Sequence, residues 1–332
     1  MGNKDGGTVG NTDGGTLKHE AVVSDSRQDT ESDQAECAQR PRVGLLAGWG
    51  RFPIVVAEAL CRQGYAVYCL GCREHADGEA LQEICEDFQW VGLGRAGAAV
   101  RYFRRHEISQ ATMAGKYHKK LLFQPGVWFR HIPDWTAIRH FYPYFASPRL
   151  RGAGKDRKDD TLLGAIVDLF ANYDIAFRPA TEFVPELLAR EGQLTRRGIS
   201  LAQRRDIEFG WQLAKEMGQL DVGQCVIVKD RAVLAVEAIE GTDDCIRRAG
   251  ELCGSGGFTV VKVAKPNQDM RFDVPTVGLG TLQTMSAVGG RVLAIEAGKT
   301  IIVDQQEVMD YANANKLVIV ALDDPLAMRQ AA

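Results

Sequence analysis

The sequence predicts an α/β protein in which strands and helices alternate along most of the 332 residues. Three observations support this fold class. Order begins abruptly near Arg42, where a short apolar run leads through a glycine-containing loop into a helical pattern. The same succession of apolar run and helical period then recurs along the chain. A hydrophobic content of 45% is enough for two domains with cores of their own.

The elements of the first half follow from hydrophobic period and turn residues. A buried strand at 43–47 leads through a tight loop at 48–52 into a helix at 53–63, which proline opens at its first turn. The following segments alternate, with strands predicted at 65–71, 90–94, 110–115 and 175–180, and helices at 78–88, 96–107 and 159–173. An aromatic-rich stretch at 121–145 breaks this period. A parallel sheet with helices on its faces is the economical arrangement.

The second half has the same character with shorter elements. It begins near Thr181, and its predicted elements are a helix at 205–221, a hairpin at 224–240 that turns at 229–231, a helix at 243–253 and a strand at 258–265. The preceding tail is rich in Gly, Asp, Ser, Thr and Gln, a composition that is typical of disorder. The predicted parts are therefore a disordered tail at 1–41, an N-terminal domain at 42–180 and a C-terminal α/β domain at 181–328.

Composition excludes several classes of protein. A net charge of -3 without a basic field argues against nucleic acid as a partner. No stretch approaches the roughly 18 apolar residues of a membrane span, and the first residues lack the apolar core of a secretory signal. We therefore expect a cytoplasmic protein with reduced thiols. Cys69 and Cys72, followed by His75, have the spacing of a metal or redox motif, but Cys69 closes an apolar run and is interpreted as a core residue.

The loop with Gly48 and Gly50 lies between a strand and a helix, where backbone N–H groups suit a phosphate. Pro53 occupies the third glycine position of the dinucleotide-binding fingerprint, which disfavours a nicotinamide cofactor and hence a dehydrogenase. A nucleotide phosphate contact and a purely structural turn remain the two interpretations. Residues 155–160, with sequence KDRKDD, similarly indicate either helix capping or a ligand contact.

The segment AVEAIEGTDDCIRRAG is unusually acidic for a junction between a strand and a helix. It places four carboxylates beside two adjacent arginines: Glu237, Glu240, Asp243, Asp244, Arg247 and Arg248. Capping of the helix accounts for one aspartate. It does not account for Glu237, which the pattern places inside a buried strand, where an unpaired carboxylate is costly. Converging carboxylates of this kind predict a counter-cation such as Mg²⁺.

A second cluster, in VKVAKPNQDMRFDVPTVG, combines cations with an acid on a predicted loop. Its polar residues are Lys262, Lys265, Gln268, Arg271 and Asp273. Acids that hold a metal, with Lys and Arg to neutralise oxygens, are the components of a phosphoryl-transfer site. A set of surface salt bridges, each of little energetic value, is the alternative.

Together these motifs resemble the LpxI family, the UDP-2,3-diacylglucosamine pyrophosphatases of lipid A synthesis. The resemblance extends from about Arg42 to Leu322 and is most specific from the VLAVEAIEGTD segment to DVPTVG. It implies a Rossmann-like N-terminal domain, a separate α/β catalytic domain and Mg²⁺ as cofactor. It also implies that water attacks the α-phosphorus, which releases UMP and 2,3-diacylglucosamine 1-phosphate.

The resemblance also implies roles for residues. The expected catalytic residues are Asp273, Asp243, Lys262 and Lys265, and the expected metal ligands are Asp273, Asp243 and Glu240. The expected substrate-binding residues are Gly48, Gly50, Gly241, Thr242, Arg247, Gln268 and Arg271. The expected partner is a nucleotide-linked lipid at the membrane surface, with peripheral inner-membrane association and a homodimer as options.

Three departures from the family pattern keep an alternative open. The glycine that the family has before two aspartates is replaced in the run from Arg157 to Asp160, the segment 121–151 is long, and the N-terminal tail is extra. The alternative is a non-hydrolytic nucleotide-sugar binding or regulatory protein of the same fold.

Overall fold

The computed structural model describes residues 40–92, 94–116, 133–146, 159–266 and 268–325. Almost all of the predicted tail lies outside these residues, as do much of the aromatic-rich stretch and the first four residues of the KDRKDD segment. Pro41–Ala332 forms one compact unit that contains both halves of the predicted α/β arrangement. The predicted domain limits remain predictions.

The first half is built around a parallel sheet whose five described strands have the order β3-β2-β1-β4-β5. These strands are β1 (Arg42–Ala47), β2 (Ala66–Cys72), β3 (Asp87–Val91), β4 (Gln110–Ala114) and β5 (Ala176–Phe177). The strand order reverses between β1 and β4, so the carboxyl end of β1 lies at the topological switch point of a doubly wound sheet. This arrangement confirms the predicted α/β class with a Rossmann-like first half.

Helices follow most of these strands. They are α1 (Phe52–Arg62), α2 (Gly78–Ile84), α3 (Ala96–Arg105), α4 (Trp135–Ala146), α5 (Asp159–Ala171) and the short α6 (Ala180–Phe183). The prediction of one helix over 78–88 was wrong at its end, because Asp87 already pairs with Tyr68 in the sheet. Helix α4 was not predicted, because its aromatic-rich sequence was interpreted as a break in the alternation of strands and helices.

The second half contains a mixed sheet whose described strands have the order β6-β13-β11-β9-β7-β8. They are β6 (Gly192–Gln193), β7 (Cys225–Lys229), β8 (Ala232–Val236), β9 (Thr259–Lys262), β11 (Val292–Glu296) and β13 (Val318–Leu322). Strands β9, β11 and β13 are parallel, whereas β7, β8 and β6 run antiparallel to their neighbours. A separate parallel pair consists of β10 (Thr276–Val277) and β12 (Ile301–Ile302).

The described residues of this half form four α-helices: α7 (Leu201–Gln219), α8 (Thr242–Leu252), α9 (Leu279–Ala287) and α10 (Gln305–Ala314). A capping box between Ser200 and Gln203 fixes the start of α7. The β7–β8 hairpin turns through two residues with positive φ, and the buried Asp206 side chain accepts hydrogen bonds from both of their N–H groups. The predicted hairpin is therefore confirmed, and Asp206 anchors its turn to α7.

The two halves meet through a small apolar cluster. Val55 of α1 packs with Ile301 and Val303, and Val274 contacts the same cluster. An ion pair between Arg51 Nε and Asp304 Oδ2, at 3.1 Å, lies beside it. Both halves thus share a contact region next to the loop that precedes α1.

Candidate functional site

The two clusters predicted from the sequence meet at the carboxyl end of β9. Lys262 is the last residue of that strand and is buried. Its Nζ donates to the Thr242 hydroxyl at 3.1 Å and to the Thr276 carbonyl oxygen at 3.0 Å. Lys262 therefore links the beginning of α8 to the segment that follows Asp273, so the acidic junction and the second cluster belong to one site.

Glu237 is the buried counter-charge of this site. It lies one residue beyond β8, and the Thr242 hydroxyl donates to its Oε1 at 2.8 Å. The Gln224 backbone N–H donates to the other oxygen at 3.4 Å. The Thr242 hydroxyl thus lies between an ammonium and a carboxylate, so each buried charge has a partner of opposite sign. The sequence placed Glu237 inside the strand and gave no partner for it, because Lys262 is distant along the chain.

Asp243 lies at the start of α8, next to this network. Gly241 precedes the helix with a φ of 88°, a left-handed conformation that glycine adopts without the strain of a Cβ atom. Asp243 is half-buried, and its Oδ1 accepts a hydrogen bond of 3.0 Å from the Thr281 hydroxyl on α9. Sequence reasoning missed Thr281, which carries no motif signal and lies 38 residues from Asp243.

The remaining charges of the acidic junction lie on the surface. Arg248 forms an ion pair with Glu240, and Arg247 forms one with Asp244 on the outer face of α8. A hydrogen bond from its own backbone N–H and the contact with Arg248 hold the pKa of Glu240 below its usual range. These four residues form salt bridges, which the sequence also predicts as the alternative to a phosphoryl-transfer site.

The loop after β9 carries the second cluster. The Lys265 backbone N–H donates to Gln268 Oε1 at 2.9 Å, and Gln268 Nε2 donates to Asp273 Oδ2 at 2.8 Å. Lys265 Nζ forms an ion pair with Asp221 at 2.8 Å. Gln268 therefore joins the half-buried Lys265 and Asp273 across the loop. Asp221 is a second residue that the sequence did not reveal.

Arg271 forms an ion pair with Asp269. Its Nε lies 2.9 Å from Asp269 Oδ1, and a second nitrogen contacts the other carboxylate oxygen. This pairing lowers the pKa of Asp269 and raises the pKa of Arg271. The neighbouring Phe272 packs against the core of the first half. Asp273 therefore lies on a loop that is anchored to both halves.

The predicted phosphate loop lies at the switch point of the first sheet. The Gly48 N–H donates to the Ala114 carbonyl of β4, and Trp49 exchanges backbone hydrogen bonds with Lys116. Gly48 is buried and Gly50 is half-buried. The contact of this loop with the second half runs through Arg51 and Asp304. Its geometry is compatible with both interpretations, a phosphate contact and a structural turn.

The predicted three-carboxylate metal set is not assembled in the described part of the chain. Among those residues, no group of three or more His, Cys, Asp or Glu side chains is placed to hold a metal ion. Glu240 is turned toward Arg248, whereas Asp243 and Asp273 lie on the two segments that Lys262 links. The expectation of a magnesium site thus depends on two aspartates rather than three carboxylates.

Two other features lie apart from this site. Cys69 and Cys72 are buried in the cores of the first half, and burial raises the pKa of the Cys72 thiol to about 12. A cavity of about 470 Å³ beside Pro185, Arg190 and Asp323 contains none of the predicted site residues.

No helix of the described segments has the length and apolar content needed to cross a membrane.

Comparison with known proteins supports a single family. The LpxI N-terminal domain matches residues 42–187, and the LpxI C-terminal domain matches residues 190–320. A relative from Caulobacter vibrioides, named UDP-2,3-diacylglucosamine pyrophosphatase LpxI, is 27% identical over 297 residues. That alignment covers 85% of this chain and 98% of the relative. Since the two domain matches span most of the sequence in the expected order, the chain belongs to the LpxI family.

Proposed function

We propose that this protein hydrolyses the pyrophosphate bond of UDP-2,3-diacylglucosamine in lipid A synthesis. The observation that supports this most directly is the position of Lys262. This buried ammonium joins Thr242, which precedes Asp243, to Thr276, which follows Asp273, so the two segments that carry these aspartates share one cation. Such a combination suits the transfer of a phosphoryl group to water.

In this proposal, water attacks the α-phosphorus and breaks its bond to the bridging oxygen. That oxygen leaves with the sugar phosphate, so the products are UMP and 2,3-diacylglucosamine 1-phosphate. Asp243 or Asp273 orients the water and takes up the proton that it releases. Lys262 offsets the negative charge that builds on the phosphate oxygens, and Lys265 does so once it exchanges Asp221 for substrate. Gln268 positions Asp273 through the hydrogen bond between their side chains.

The proposed cofactor is Mg²⁺, held by Asp243 and Asp273. Magnesium is commonly bound by one or two carboxylates together with substrate phosphate oxygens, so the two aspartates are a suitable donor set. The bound ion would polarise a phosphoryl oxygen. Glu240 is left out of this set because its carboxylate is paired with Arg248.

The substrate contacts follow from groups that suit an anion. The start of α8 at Thr242 supplies the backbone N–H groups of a helix N-terminus, which suit phosphate oxygens. The loop of Gly48 and Gly50 would contact the nucleotide. Arg247 and Arg271 would contribute only by exchanging their present acidic partners for substrate oxygens.

The partner is then a nucleotide-linked lipid whose acyl chains reside in a bilayer. We propose that the protein meets it at the cytoplasmic surface of the inner membrane without spanning it. A homodimer is a further option, which measurement of the mass in solution would test.

The direct test is to incubate purified protein with UDP-2,3-diacylglucosamine and follow UMP, with added Mg²⁺ and with a chelator. Reaction in H₂¹⁸O should place the heavy oxygen in UMP, and label in the sugar phosphate would contradict attack at the α-phosphorus. Asp273→Asn should lower kcat by about 100-fold or more. The matched control is Asp310→Asn, on the exposed face of α10. Binding of substrate without UMP release at any metal concentration would instead support the non-hydrolytic alternative.

A further inference from the structure

The loop with the proposed catalytic residues Lys265 and Asp273 has no regular secondary structure over residues 263–275 in its described positions. The ladder between β9 and β11 ends where Lys262 pairs with Ile295. Beyond that pair, other contacts must hold the chain in place.

Beyond the last pair of this ladder, a buried carboxylate binds the backbone of the loop. Glu296, the last residue of β11, is 2% exposed, and its Oε2 accepts the Ala264 N–H at 2.8 Å. The same oxygen accepts from Lys215 Nζ at 2.6 Å, and Lys215 Nζ also donates to the Ala264 carbonyl at 3.0 Å. One ion pair between α7 and β11 thus binds both backbone polar groups of Ala264.

Helix α7 also packs closely against this turn. A Cβ atom at Gly218 would lie 3.2 Å from the Pro266 ring and 3.3 Å from Lys265 Cα. Lys215 and Gly218 are separated by three residues, so they lie on the same face of the helix. The turn is consequently fixed both by packing against α7 and by the ion pair of Lys215 with Glu296.

A short chain of hydrogen bonds leads from this turn to the proposed site. Lys265 follows Ala264, and its N–H donates to Gln268, whose side chain donates to Asp273. A shift of Ala264 would therefore be passed to both proposed catalytic residues of the loop.

We propose that Lys215 and Glu296 are positioning residues, which fix the loop 263–275 for catalysis through Ala264. This inference rests on the proposed function, because it concerns the same reaction. Neither residue belongs to the two clusters that the sequence revealed, and they lie 81 positions apart.

The chain offers a matched pair of variants. Lys215→Met removes the donor to Ala264, whereas Lys299→Met removes a donor to Glu296 Oε1 from a lysine side chain that is 52% exposed. We expect Lys215→Met to lower kcat for UMP release by at least about tenfold, with KM changed by less than about threefold. Lys299→Met should keep kcat within about twofold of the wild type. Equal effects of the two variants, or a Lys215→Met kcat within twofold of the wild type, would overturn the inference.

Hydrogen exchange provides a readout that does not require activity. Amide exchange of a peptide covering 263–275 should accelerate in Lys215→Met but not in Lys299→Met. If the wild type releases no UMP, the proposed function fails, while this exchange result still decides whether the ion pair holds the loop. If Lys215→Met does not fold, Lys215→Gln is measured in the same way, since glutamine has a shorter side chain without the charge. Unchanged amide exchange and unchanged kcat in Lys215→Gln would refute the role of Lys215.

Discussion

Replacement of Lys262 by methionine provides the sharpest test of the central network. Methionine has a similar length and no charge, so Lys262→Met removes the ammonium while it largely fills the same space. The Thr242 hydroxyl and the Thr276 carbonyl each lose a donor, and the buried Glu237 loses its counter-charge. We therefore expect separate losses in stability and in activity.

The loss of stability can be worked from the geometry. The hydrogen bonds of 3.1 Å and 2.8 Å through the Thr242 hydroxyl limit the separation of the two charges to about 6 Å. At an effective dielectric constant of about 20, this corresponds to about 3 kcal/mol of attraction. The two lost donors add about 1 kcal/mol each. The expected decrease in the free energy of unfolding is about 3 to 5 kcal/mol, which is the usual range when one member of a buried pair is removed.

A double variant separates the two effects. Glu237→Gln combined with Lys262→Met removes both charges, so it should be more stable than Lys262→Met alone by about 2 kcal/mol. Its kcat should nevertheless stay lower than that of the wild type by about 100-fold or more, because the cation that stabilises phosphate charge is absent. Urea unfolding followed by circular dichroism gives the stabilities, and UMP release gives kcat.

Two results would refute this reasoning. If Lys262→Met keeps kcat within about threefold of the wild type, Lys262 does not act on the phosphate. If the double variant is no more stable than the sum of the two single changes predicts, the two charges do not stabilise each other.

Three further predictions concern the other charged and thiol groups. Glu240→Gln should keep kcat within about threefold of the wild type, because Glu240 pairs with Arg248 on the surface; a loss above about 30-fold would return it to the proposed metal ligands. Asp269 has a lowered folded-state pKa, so its stabilising contribution is present above its unfolded pKa of about 3.9 and is lost as the pH falls through the folded value. The difference in melting temperature between the wild type and Asp269→Asn should therefore be largest near pH 7 and vanish in strong acid. It should correspond to less than about 1 kcal/mol. A difference that grows in acid would contradict this sign. Burial raises the pKa of Cys72 to about 12, so Cys72→Ser should not change the number of thiols that a disulfide reagent titrates rapidly at pH 8. Cys61→Ser should lower that number, because Cys61 is partly exposed. A rapidly titrated thiol that disappears in Cys72→Ser would refute the burial argument.

The fold could be predicted because it depends on local signals. Apolar runs alternate with helical periods, and this alternation is sufficient to indicate parallel strands with crossover helices. Where a local signal was weak, the prediction failed. Helix α4 has many aromatic residues and an internal Pro143, which obscure its period, and the segment after Ile84 returns to the sheet sooner than its helical pattern indicates.

The candidate site was only partly predictable, because adjacent residues of one motif face different surroundings. Glu240 and Asp243 are separated by Thr242 and by Gly241, whose positive φ changes the direction of the chain. Glu240 consequently faces Arg248 at the surface, whereas Asp243 contacts Thr281 on α9. Spacing alone treats the two acids as equivalent ligands, and the backbone conformation at one glycine distinguishes them.

The partners of buried charges present a harder case, since they depend on how elements that are distant in the sequence pack together. Glu237 follows β8, and Lys262 ends β9, yet the two strands are separated by β7. Their link runs through Thr242, which belongs to neither strand. Likewise, Glu296 reaches Ala264 because β11 lies next to β9. A buried acid at or just beyond a strand end therefore indicates from the sequence that a cation is required, but only the packing of the elements identifies it. That cation is Lys262 at the end of β9 for Glu237 and Lys215 on α7 for Glu296.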